Sequence, residues 1–111
     1  MKIVNLTPHT VNIEGGMSYP PSGQVARVSC SQKAIGVLPD GTPLSRCEYG
    51  DVEGLPTHPE EGTMYIVSRL VLAASEWDVQ RNDLLVPSDL VRDEEGRVIG
   101  CRSFEQLDQD R

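Results

Sequence analysis

Asp40-Gly41 is the feature that most constrains this chain. The dipeptide lies between two strand-like runs, 34–38 (AIGVL) and 42–49 (TPLSRCEY). Asp-Gly between two such runs is the strongest hairpin signal in the chain, so the pair predicts a β-hairpin. A second hairpin is expected where 90–92 and 97–101 flank Asp93-Glu94-Glu95-Gly96. Short strands are expected at 2–6, 10–14, 24–30, 63–67 and 84–86, the last stopped by Pro87. In 24–30, Ala26, Val28 and Cys30 share the inward face and Arg27 lies on the other. One helix is expected from Ser68, its N-cap, to about Trp77, with Leu70, Val71, Ala74 and Trp77 as the apolar stripe. No βαβ alternation is read. The fold class is mainly β (α+β): a small antiparallel sheet or partly open barrel with one short helix.

The chain has 111 residues, enough for one core; hydrophobic residues make up 38% and aromatic residues 5%, so aliphatic side chains must carry it. Residues 1–104 read as one compact domain and 105–111 as a polar tail. No apolar run approaches a membrane span of about 20 residues, and no secretory signal is read at the N-terminus.

Seventeen acidic residues against ten basic ones give a formal charge of −7. A general nucleic-acid polymer partner is thereby disfavoured, because phosphate neutralisation needs a cationic face. Adsorption to an anionic membrane is disfavoured for the same reason. Lys2 and Lys33 are the only lysines; the other eight basic residues are arginines. Arginine forks bind phosphate or carboxylate in a planar geometry that lysine cannot supply.

Cys30, Cys47 and Cys101 form an odd, widely spaced set, and all three are expected reduced, with Cys30 and Cys47 buried on strands. With His9 and His58 as the only histidines, no metal-ligand spacing arises, so neither a metal nor another cofactor is expected. Nucleophile-elbow, Walker-type and dinucleotide-binding motifs are absent. No catalytic residue is assigned. Glu60-Glu61 and Glu94-Glu95 sit beside glycines and read as solvated loop charge.

The remaining chemistry points to an anion site. Ser68-Arg69 at the helix start combines free N–H groups with a cation. Arg69 and Arg27 are the first candidates for phosphate contact, followed by Arg81, Arg97 and Arg102. His9 and Tyr65 are candidates for the base or ribose, and Asn5 and Asp83 for hydroxyls. Tyr19, Tyr49, Trp77 and Phe104 offer further flat surfaces for a base. Arg81 with Asp83 also has a plainer reading as a loop salt bridge of small worth.

Several stretches taken together are distinctive: NLTPH (5–9), PPSGQVARV (20–28), YGDVEGLP (49–56), GTMYIVSRLV (62–71), RNDLLVP (81–87) and VRDEEGRVIGCRSF (91–104). Their combination resembles a family of small phage and prophage proteins. By analogy of size and setting, the resemblance implies a counter-defence protein like the Sequestin and Lockin families and other Thoeris anti-defence sponges. The implied activity is non-enzymatic sequestration of a nucleotide immune signal, of the cyclic ADP-ribose type or an ADP-ribose conjugate. The implied setting is the cytoplasm of the infected bacterial host, and the expected assembly a homodimer or higher homo-oligomer, which enlarges a small chain's pocket. Two alternatives stay open: a small phosphodiesterase using His9 with a carboxylate, and a phage structural or host-protein-binding module.

Overall fold

The computed structural model describes residues 1–75 and 81–106. Its strands are β1 (Lys2–Asn5), β2 (Val11–Asn12), β3 (Ser18–Tyr19), β4 (Arg27–Val37), β5 (Pro43–Glu53), β6 (Thr63–Ile66), β7 (Leu84–Arg92) and β8 (Val98–Glu105). The helix α1 spans Arg69–Ala74. The described residues are mainly β with one short helix, as the sequence implies.

The central sheet has the order β1-β6-β7-β8. β1 pairs parallel with β6, β6 parallel with β7, and β7 antiparallel with β8. β6, α1 and β7 therefore make a parallel crossover, contrary to the expectation of no βαβ alternation. The reason is visible in the central runs Tyr65-Ile66-Val67 and Leu84-Leu85-Val86. Neither alternates with polar residues, because both strands are covered on both faces. Tyr65, Val67, Leu84 and Val86 pack with Val71 and Leu72 of α1. Ile66 and Leu85 point to the other face and pack with Val11 and Cys101.

Ser68 caps α1, its Oγ accepting from the Val71 N–H at 3.3 Å. Val71 and Leu72 are the buried pair of the helix, whereas Leu70 stays 54% exposed. The expected stripe is therefore rotated, and its last member, Trp77, lies outside the described residues.

β7 does not stop at Pro87. Its pairing with β6 ends at Leu85, so Pro87 falls where β7 has become an edge on that side. The strand continues against β8 to Arg92, and the expected hairpin forms around Asp93–Gly96. Glu105 belongs to β8 rather than to a tail.

β4 and β5 form a separate two-stranded arm of eleven-residue strands joined at Asp40-Gly41. The arm merges the expected strands at 24–30 and 34–38. Its base packs on the core through Val28 and Val52. Beyond that base Cys30 is exposed and Cys47 only half-buried. A disulfide joins these two residues, whose Cα atoms lie 5.9 Å apart, while Cys101 is free and buried. The expectation of three reduced thiols is corrected accordingly: antiparallel pairing sets Cys30 and Cys47 diagonally on one face, within reach of each other.

No helix among the described residues is long and apolar enough to cross a membrane.

Candidate functional site

A groove of about 830 Å³ opens where the parallel strands β1 and β6 end. Ligands of open sheets with parallel strands bind in this position, in the crevice outside the carboxyl ends. The loop leaving β1 supplies Thr7 to Thr10, and the turn leaving β6 supplies Val67, Ser68 and Arg69. The β7–β8 hairpin closes the opposite side with Val86, Pro87, Leu90, Val98 and Ile99. Most of the walls are aliphatic, with polar groups concentrated on the loop side. Among the described residues no aspartate or glutamate lines the groove, although the chain has 17 of them. Arg69 and His9 are its only basic residues among those described.

Asn5 shapes this rim from behind. Its Nδ2 donates to the carbonyls of His9 and Tyr19, each at 2.8 Å. Its Oδ1 accepts from the Thr7 N–H at 2.9 Å and from Thr7 Oγ1 at 2.7 Å. All four hydrogen-bonding positions of the amide are used, and the residue is buried. Asn5 is thus the clamp of the 5–9 loop and is not free to meet a ribose hydroxyl.

Arg69 is exposed and engaged. Its Nη1 and Nη2 donate to Glu105 Oε2 and Oε1 at 3.1 and 3.3 Å. The paired carboxylate raises the Arg69 pKa further. In return the Arg69 hydrogen bonds, then that of Ser88, hold Glu105 below the usual carboxylate range. Ser88 Oγ donates to Glu105 Oε1 at 2.6 Å. An incoming anion therefore has to replace Glu105 on the Arg69 fork. The first-turn amide of Val71 is already used by Ser68, and α1 has only six residues. The helix start is not the anion site the sequence suggested; the arginine at the groove rim remains.

Of the ten residues singled out in the sequence, His9, Ser68 and Arg69 meet at this groove. Tyr65 is 6% exposed and belongs to the core under α1, so it presents no face to a base. Arg81 and Asp83 are buried together at 3% and 4% exposure, with Nη2 and Oδ2 3.1 Å apart. Arg81 Nη1 donates to the Pro56 carbonyl at 2.9 Å. This interior tie fastens the 55–62 loop to the start of β7 and replaces the reading of a loop salt bridge of small worth. Arg27 is exposed at the base of the arm, paired in register with Glu53. Arg97 sits in the β7–β8 turn with Asp93 and Glu95. Arg102 reaches Glu14 at 3.3 Å and Asp89 at 3.4 Å. None of these last three lines the groove.

Sequence reasoning missed the aliphatic wall. Val98 and Ile99 are 50% and 52% exposed, two adjacent apolar residues on an edge strand. Such a pair, placed opposite a loop that follows a parallel strand, was the available signal.

Fold and groove together define a small mixed-sheet domain with a projecting two-stranded arm and an apolar cleft at its strand ends. Comparison with family models, with curated proteins and with solved structures gives no match.

Proposed function

We propose that the chain is a non-catalytic binding protein that takes a small anionic ligand of the nucleotide class into the β1–β6 groove. The observation that carries this reading is the groove's composition among the described residues: aliphatic walls, a lining without carboxylates, and one histidine and one arginine at the rim, the arginine held by Glu105 from outside the lining. A volume of about 830 Å³ lies within the range of small-molecule sites. The walls suit a flat base, and Arg69 suits a phosphate. The rim becomes cationic toward a ligand when the anion takes the place of Glu105 on the Arg69 fork. His9 is the only histidine in the groove, with no carboxylate beside it in the lining, which supports binding over acid–base chemistry. The phage resemblance supplies the biological setting, in which a bound cyclic ADP-ribose isomer or ADP-ribose conjugate is removed from signalling inside the infected cell.

The test is a nucleotide panel read by native mass spectrometry, with the bound species released and identified. Binding of an intact nucleotide is expected. Arg69→Ala weakens it about tenfold, the smaller value expected for a largely exposed contact. Glu105→Gln tightens it, because the competing carboxylate is gone. Turnover of a panel member moves the protein to the phosphodiesterase class, and equal affinity in both variants removes the anion from the Arg69 rim.

A further inference from the structure

The arm has no core of its own beyond the Val28–Val52 pair that packs on the body. Outward of that pair every residue of β4 and β5 is exposed except Cys47, which is half-buried. The ladder is interrupted between Val28 and Cys30, where the arm leaves the body, and again between Ala34 and Gly36. Side-chain ties across the outer arm are few among the described residues. Lys33 and Glu48 are ion-paired at 3.7 Å, and Ser45 Oγ donates to Gln32 Oε1 at 3.0 Å. Exposed contacts of this kind hold little, and a lone two-stranded ribbon is marginal in water. The remaining tie is covalent. The Cys30–Cys47 bond lies between the two interruptions and closes a loop with a sequence separation of 17.

We propose that this bond is a reversible redox latch on the arm. Closed, it keeps the outer strands of residues 29–51 paired; opened by a thiol reductant, it lets them separate while the central sheet and α1 stay folded. Cys30 is the exposed partner, so its sulfur is the one that an incoming thiolate reaches. One thiolate of a dithiol reductant attacks Cys30 Sγ. The Cys30–Cys47 bond breaks, and its electron pair leaves on Cys47 Sγ, which then takes a proton. The second thiolate of the reductant attacks its own sulfur in the mixed disulfide, and Cys30 departs to take the other proton. The arm has gained two electrons and two protons, and the reductant leaves as a disulfide. A disulfide oxidant runs the same steps backward. Exposed disulfides are the labile, regulatory class, and this one stands on a segment that packing does not hold. Cys101 is buried at 1% exposure and takes no part. No residue of the arm lines the β1–β6 groove, so the latch stands whether or not a nucleotide binds there.

Pulsed reduction of the folded chain tests the latch. After brief treatment with dithiothreitol without denaturant, alkylation is expected at Cys30 and Cys47 and not at Cys101. Hydrogen exchange of the ladder amides in 31–46 should then speed up about a hundredfold, the restraint a disulfide places on a loop of this length. Exchange in 63–72 and 84–86 should not change. Replacing dithiothreitol with oxidised glutathione should restore the slow exchange. The double variant Cys30→Ser, Cys47→Ser should exchange like the reduced chain with or without reductant, its fold checked by circular dichroism, and Cys101→Ser should respond like the wild type. A bond that yields only on global unfolding overturns the proposal. So does an arm that exchanges equally fast in both states, or a reduction that loosens the central sheet as well.

Discussion

Replacing Asn5 by alanine removes the clamp on the loop that forms one wall of the groove. Four hydrogen bonds are lost, all between 2.7 and 2.9 Å. A net value of about 1 kcal/mol each sets an upper figure near 4 kcal/mol. Thr7 Oγ1 lies 3.0 Å from the His9 carbonyl, so its one proton can turn to that carbonyl when the amide is gone, and part of the loop keeps a partner. The Tyr19 carbonyl loses the Asn5 donor, and the Thr7 N–H loses its Asn5 acceptor. The expected loss is therefore about 2–3 kcal/mol, or roughly 10–15 °C in melting temperature for a domain of this size. Urea unfolding followed by circular dichroism measures it, with the slope compared to exclude a change in the denatured state. The same variant should loosen His9 and weaken ligand binding beyond what stability explains. A loss below about 0.5 kcal/mol, the low end for even one net hydrogen bond, would refute the clamp.

Three other outcomes follow from the same reasoning. Asp83→Ala strands the buried Arg81 guanidinium and should cost about 3–5 kcal/mol in chemical denaturation, against little for an exposed pair. Unfolded without reductant, the chain should take up one alkylating equivalent, at Cys101, and three after reduction; labelling of all three without reductant would disprove the Cys30–Cys47 bond. Glu105 has a folded pKa below its unfolded value, so its contribution is present above the unfolded value and disappears as pH falls through the folded one. Glu105→Gln should therefore lower stability at neutral pH, with the difference vanishing toward acid, as read from melting temperature against pH.

Local signals carried far in this chain. Asp40-Gly41 and Asp93–Gly96 are turns whose backbone requirements are met within a few residues, and both hairpins form where those residues stand. Ser68 likewise announces α1 by its own side chain. Pairing between distant strands was less legible. Tyr65-Ile66-Val67 and Leu84-Leu85-Val86 read equally well as short antiparallel or buried parallel strands, because burial on both faces erases the alternation that separates the cases. Missing that crossover hid the groove, which exists only because β1 and β6 run side by side in the same direction. The site residues failed for a related reason. Asn5, Tyr65, Arg81 and Asp83 have the functional groups of a ligand site, yet tertiary packing turns each of them inward. Arg69, His9 and Ser68 line the groove because they occupy chain turns that leave the sheet, where side chains face solvent.

Hydrogen exchange with and without a bound nucleotide tests the central claim most directly, because it locates the ligand rather than only detecting it. The account predicts slowed exchange in 8–12, 67–71 and 98–101, the segments that surround the groove, with the arm at 30–49 unchanged at fixed protein concentration. Protection confined to the arm, or centred on 50–57 around the Arg81 tie, would contradict it.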